Sequence, residues 1–308
     1  MKGLELAQEY YRRYGEPMIR GRFGAFEGQI AAGLAGPGSE CYGFDDELSR
    51  DHDWGPAFCL WLTDEDFALI GEPLSKAYSE LPAVFMGFGP RAASPGEEWR
   101  VGVSQTALFY KRYTGLDRPP QTPAEWLRIP EHSLSACTNG KVFDDPLGDF
   151  TRRREALLAY YPEDIRLKKI ASCCITLAQT GQYNFMRSVE RRERFSAAYS
   201  EVKFCSDAIA LAFLLNRRYA PFYKWMHRAA MELPLLGRDL HGGVAAVLGT
   251  ADPAGKTAAI ESIAALLAGE IRRQGLSDSE SGFLLDHAPL IHGKITDPAV
   301  RGRLSVVQ

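Results

Sequence analysis

Apolar residues recur at helical spacing through most of the second half of the chain, and far less regularly through the first. From residue 151, "TRRREALLAYYPEDIRLKKIASCCITLAQTGQYNFMRSVERRERFSAAYSEVKFCSDAIALAFLLNRRY" keeps a period near 3.6 with few Gly or Pro. "PFYKWMHRAAMEL" and "KTAAIESIAALLAGEIRRQG" continue it between Pro and Gly stops. The first half is mixed. Residues 4–14 predict a short amphipathic helix closed by Gly15 and Pro17, and "QIAAGLAGPGS" predicts an apolar segment running into a Gly/Pro turn. "DHDWGPAFCLWL" predicts a strand with an irregularity at Pro56. "TDEDFALIGEPLSKAYSEL" predicts a helix capped by Thr63, with Asp66 three residues on, and divided at Pro73. "EEWRVGVSQTALFYKRYTG" predicts an extended half followed by a helical half, and "GLDRPPQTP" a turn. The Asn-Gly and Asp-Pro-Leu-Gly signals in "SACTNGKVFDDPLGDF" predict a β-hairpin. The expectation is an α+β domain over 1–150 and an all-helical domain over 151–308.

Composition narrows this little. At 308 residues, 45% hydrophobic and 24% charged, the chain can bury one large core or two ordinary ones. A net charge of -3 gives no overall electrostatic reason to expect nucleic acid, although a local basic patch is compatible with it. The charged start "MKGLELAQEYYRRYGE" lacks the apolar core of a signal peptide, and no apolar run reaches the roughly 20 residues of a membrane helix. The six cysteines form no CxxC pair, so reduced, mostly buried thiols and a cytoplasmic location are expected.

The densest chemistry lies in "GPGSECYGFDDELSRDHDWG", where six carboxylates fall within residues 36–55. Asp51 and Asp53 are two apart, so on a strand both would project from one face, where like charges need a cation between them. One or two carboxylates plus substrate phosphates are what Mg²⁺ prefers. Upstream, Gly38 lets backbone N–H groups approach a phosphate, and the Ser39 hydroxyl adds a donor. A phosphate-holding turn followed by a metal-holding acid pair suits phosphoryl or nucleotidyl transfer. The competing reading is a solvated acidic loop that caps a helix.

Gly38-Ser39, eleven residues and then Asp51-His52-Asp53 resembles the Gly-Ser…Asp-x-Asp signature of the DNA polymerase β-type nucleotidyltransferase superfamily, which includes aminoglycoside and lincosamide adenylyltransferases. Ser49 and Arg50, just before the acid pair, also look like that group. "LNRRYAPFYKWMHRAAMELP" resembles the helical domain of streptomycin-modifying enzymes and of an uncharacterised bacterial nucleotidyltransferase-like family. The resemblance implies a small mixed sheet flanked by helices, followed by a helical bundle. It implies Asp51 and Asp53 as ligands of Mg²⁺ in a two-metal site, with Gly38, Ser39 and Arg50 holding a nucleoside triphosphate, ATP being the expected one. The reaction implied is transfer of a nucleoside monophosphate to a hydroxyl of a small molecule or protein. The superfamily's third carboxylate is missing from "WRVGVSQ", which carries Gly102 at the expected place. Glu97, Glu98, Asp144 and Asp145 stay open for that role. The departure keeps alive the alternative of a catalytically impaired nucleotide-binding or regulatory protein.

In the helical half, Gln179, Tyr183, Arg187 and then Glu190 or Arg191 follow one helical face, either lining an acceptor cleft or facing solvent. Glu190 is a candidate general base by analogy with kanamycin-type relatives, and Lys224 a candidate phosphate ligand, against a packing role for its aromatic neighbours. "GTADPAGKT" encloses five residues between Gly249 and Gly255 where a phosphate loop needs four; Asp252 and Pro253 instead predict a helix start. The six His show no ligand spacing, and His52 is expected on the face opposite Asp51 and Asp53.

Overall fold

The computed structural model describes residues 1–302. The chain folds as two compact units. Met1–Gln121 joins Ile129–Ala159 in the first, and Thr122–Arg128 joins the residues from Tyr160 onward in the second. The helix Asp149–Leu158, most of which a boundary at 150 would assign to the second half, packs within the first unit.

The first unit is α+β, built on a four-stranded mixed sheet: β1 (Ala31–Leu34), β2 (Cys59–Leu62), β3 (Gly102–Gln105) and β4 (Lys141–Asp144), in the order β3-β2-β1-β4. β1 runs antiparallel to both β2 and β4, and β3 runs parallel to β2. The central strands are buried on both faces. Ala32, Leu60 and Leu62 join a core of Phe58, just before β2, with Tyr10 and Tyr11 from the N-terminal helices and Ile70 and Leu74 from the helix Asp64–Ser79. Trp61, almost fully buried, instead stacks on Phe150 at 3.8 Å between ring centroids and meets Phe109 edge-on. Gly33 makes room for it: a Cβ there would lie 2.9 Å from the indole and 2.6 Å from the Lys141 carbonyl.

Local chemistry sets several of the elements, and in three places the fold departs from the expectation. Gly15 and Pro17 do not close the first helix. A π-turn over Tyr11–Gly15 links Gly3–Tyr10 to Glu16–Arg22 and turns both Tyr10 and Tyr11 into the core. Gly15 is there for contact, since a Cβ would lie 2.6 Å from the Phe58 ring. Thr63 does cap the next helix, accepting from the Asp66 N–H at 3.1 Å, but that helix runs unbroken through Pro73. The carbonyl that Pro73 leaves without a helical donor is that of Leu69, an exposed position. The expected hairpin is a helix, Glu131–Thr138, whose last five residues are buried, then a turn at Asn139-Gly140 and the single strand β4. The Asn-Gly turn joins helix to strand because β4 finds its partner in β1.

The second unit is helical, with Glu163–Leu177, Arg194–Leu215, Gly237–Gly249 and Pro253–Arg273 as its longest elements. Asp252 caps the last of these by accepting from the Gly255 N–H at 2.9 Å, with Pro253 in the first turn. Arg166, only 2% exposed, donates to the Leu214 carbonyl at 2.9 Å, to Glu163 at 2.8 Å and to Gln274 at 2.6 Å. Gln274 in turn donates to the Leu215 carbonyl. Two of the carbonyls that end the long helix Arg194–Leu215 are thereby satisfied inside the unit. No helix of the described residues is long and apolar enough to cross a membrane.

Candidate functional site

The stretch 36–55 leaves β1 and returns to β2. Its first turn is held from β4's side: the Asn139 side chain accepts from the Gly36 N–H at 3.0 Å and donates to the Gly36 carbonyl at 2.7 Å, and the Gly140 N–H donates to the Cys41 carbonyl at 3.0 Å. Gly38 then precedes a short 3-10 turn over Ser39–Tyr42. A Cβ on Gly38 would fall 2.4 Å from a Glu40 carboxylate oxygen, so this carboxylate lies directly against the turn expected to hold a phosphate.

Asp51 and Asp53 do not lie on a strand. β2 begins only at Cys59, because residues 51–57 are taken up by side-chain-anchored loop and the turn at Gly55. Asp53 has a left-handed backbone, φ +52°, so the two side chains do not share a pleated face. Asp51 is exposed and accepts from His52, both at the ring Nδ1 (2.8 Å) and at the backbone N–H (2.9 Å). His52 is therefore a partner of Asp51 and not the occupant of an opposite face. Asp53 is buried and accepts from the Ser94 N–H at 3.0 Å, the Ser94 hydroxyl at 2.8 Å and Arg100 Nη1 at 3.0 Å.

The acidic density of this stretch is met by the protein's own cations and donors. A strap over residues 89–100 supplies two arginines. Arg91 pairs with Glu40 at 3.0 Å, both side chains buried, and the guanidinium of Arg100 lies between Asp53 and Glu97, 2.6 Å from the latter. Asp45, also buried, accepts from the Gly3 N–H at 2.8 Å and from Trp54 Nε1 at 3.0 Å, with Lys2 at 3.7 Å. Arg50 lies over the Trp54 and Phe88 rings at 5.0 and 5.4 Å. Neither Arg91 nor Arg100 stands out in the sequence. Their only advance signal is that two arginines flank the Pro/Gly loop "RAASPGEEWR".

The site as arranged does not fit a Mg²⁺ ion between Asp51 and Asp53. The oxygens of Asp53 are taken by Ser94 and by the Arg100 guanidinium, which lies between Asp53 and Glu97, while Asp51 is turned to His52. Among the described residues no group of three or more His, Cys, Asp or Glu is placed to hold a metal. Of the candidates for a third carboxylate, Glu97 pairs with Arg100, Glu98 accepts from the Gly96 N–H, Asp145 holds the turn into the helix Asp149–Leu158 through Gly148 and Thr151, and Asp144 sits on β4 opposite Ala32. Gly102 pairs with Cys59 in the β2–β3 register.

The six cysteines are free thiols, and burial pushes Cys59 and Cys137 up to about 12. Burial works against an ionised Asp53, but the two Ser94 hydrogen bonds, with Arg100 and Arg91, outweigh it and hold the carboxyl below the usual carboxylate range. A carboxyl depressed in the folded state stabilises above its unfolded value near 4 and loses that contribution as pH falls through the folded value. Acid titration of stability should therefore show a loss beginning below about pH 4 that Asp53→Asn removes. An identical acid limb in the variant would contradict the linkage.

Glu190 and Lys224 both belong to the second unit and are exposed; Lys224 lies over the Trp225 ring at 5.1 Å. Gln179, Tyr183, Arg187 and Glu190 are all exposed, as one face predicts, although the chain there passes through a π-helical segment, Ala178–Asn184. No curated protein and no solved structure matches the chain. A family model described as a domain of unknown function (DUF4037) matches residues 126–226, a span that holds β4, Glu190 and Lys224 and leaves out Gly38, Ser39, Asp51 and Asp53.

Proposed function

We propose that the first unit is a nucleotidyltransferase-like module that binds a nucleoside triphosphate along residues 38–53, with transfer impaired in the arrangement described. One observation carries the reading. A Gly-Ser turn and an acid pair connect two adjacent antiparallel strands, β1 and β2, and two arginines of a single strap face that connection. Guanidiniums suit phosphate oxygens as well as carboxylates. Arg91 and Arg100, now on Glu40 and Asp53, are the groups that would take the phosphates. Gly38 leaves the backbone approachable, and Arg50 sits beside the same stretch. Binding, orientation and charge neutralisation are then the work of this chain's own side chains.

A second reading is Mg²⁺-dependent transfer of a nucleoside monophosphate to a hydroxyl. It is favoured by the 66% exposure of the Asp51 side chain, which leaves that carboxylate accessible. Thermal unfolding with each nucleoside triphosphate, with and without Mg²⁺, separates the two. A ligand at about a hundred times its dissociation constant adds roughly 2.7 kcal/mol. A shift independent of Mg²⁺ and intact in Asp51→Asn is the expected result. A Mg²⁺-dependent shift lost in Asp51→Asn would establish the second reading in its place, and no shift with any nucleotide would overturn both.

A further inference from the structure

We propose that the surface around Tyr183–Tyr199 in the second unit binds single-stranded nucleic acid. The helix Phe185–Glu190 ends in a tight turn in which Arg192 takes φ +62°, and the Arg192 and Glu193 N–H groups donate to the carbonyls of Val189 and Ser188, both at 2.9 Å. The backbone closes this helix end by itself, so the side chains of 190–194 are left to solvent. Arg187, Arg191, Arg192 and Arg194 are all exposed and make no ion pair among the described residues. Two carboxylates, Glu190 and Glu193, accompany them, so the local balance is positive although the whole chain carries -3. The contrast with the later turns of the helix Arg194–Leu215 is direct: Lys203 pairs with Asp207 and Glu201 with Lys256.

Aromatic rings stand among these arginines. Phe195 is 81% exposed and Tyr199 is 56% exposed, one helical turn apart, with ring centroids 6.2 Å apart and planes 24° from parallel. Tyr183, also exposed, carries the Arg187 guanidinium over its face at 4.7 Å. Phe195, left largely in water at a helix start, contributes nothing to the core; its ring neighbour Tyr199 is itself exposed. Exposed guanidiniums without ion pairs, next in sequence to exposed rings, match a strand whose phosphates carry charge and whose unpaired bases stack. A duplex offers the charge and hides the base faces, so the rings select the single strand. An acidic protein surface would use the arginines and leave the parallel rings without a flat partner.

The test is fluorescence anisotropy with a labelled mixed-sequence RNA strand of about 12 nucleotides, within the span such grooves occupy. The same sequence as a duplex, and heparin as a competitor, complete the set. Binding should weaken from about 50 to about 200 mM salt, with a log–log slope near -0.7 for each phosphate contact. Arg191→Ala with Arg192→Ala should flatten that slope by about 1.4, which is two contacts. Phe195→Ala with Tyr199→Ala should weaken the strand at least about fivefold, the equivalent of about 1 kcal/mol of stacking, with the slope unchanged. All four positions are exposed, and an unchanged melting temperature verifies that the fold is intact. Absence of binding at the lowest salt, equal affinity for the duplex, or heparin-like binding indifferent to the ring substitutions would each overturn the proposal.

Discussion

Replacing Gly140 with Ala is expected to lower the stability of the first unit by at least about 3 kcal/mol, placing it among the most damaging single changes available. Two separate costs add. Gly140 has φ +64°, a conformation that costs an L-residue about 1–2 kcal/mol. The new Cβ would also fall 1.9 Å from the Leu34 carbonyl oxygen, a backbone atom that cannot swing aside. Relief requires β4 and the end of β1 to separate, which breaks the Gly140–Cys41 hydrogen bond and loosens the Asn139 grip on Gly36. Urea unfolding followed by circular dichroism should show a lower midpoint. Asn139→Ala is the graded control, removing the Gly36 bonds without a clash at a cost of about 1–2 kcal/mol. A Gly140→Ala midpoint equal to that of the parent would show that the turn is not built as described.

Arg166→Met is expected to cost about 3 kcal/mol in the second unit, at the low end for breaking a buried charged network. Methionine refills much of the volume, so the loss measures polar atoms more than a cavity. The Leu214 carbonyl loses its donor and Gln274 loses a partner, while Glu163 keeps Arg217. The same change in a simple helix-surface arginine would fall within about 0.5 kcal/mol. A midpoint shift of that small size would mean that water replaces the guanidinium at the end of the long helix.

The parts of this architecture that were legible in advance are those settled by residues close together in sequence. Thr63 with Asp66, and Asp252 with Pro253, announce helix starts because the cap and its target lie within one turn. The α+β character of the first half and the helical second half follow from periodicity alone. What escaped was decided at long range. Asn139-Gly140 carries a hairpin signal, yet its side chain serves Gly36, more than a hundred residues earlier. Pro73 reads as a break, yet the one carbonyl it leaves without a helical donor belongs to Leu69, on an exposed turn. Asp51 and Asp53 read as a metal pair because spacing two on a strand puts carboxylates together. Spacing cannot show that Ser94 and Arg100 would hold one of them on a left-handed backbone. The nucleotidyltransferase signature singles out Asp53 but not its partners, which come from a strap some forty residues downstream.

The return of the chain to the first unit after its excursion at 122–128 bears on how the protein is made. β1 emerges from the ribosome flanked later by β2, but its other edge stays open until β4 is synthesised about a hundred residues on. At 5–20 residues per second that wait is on the order of 5 to 20 seconds. Through it, the backbone of "AAGL" and the face of Trp61 that awaits Phe150 are uncovered. The nascent first unit therefore passes through an unfinished state with a free strand edge, the kind of surface on which neighbouring chains of a polysome pair wrongly or holding chaperones act.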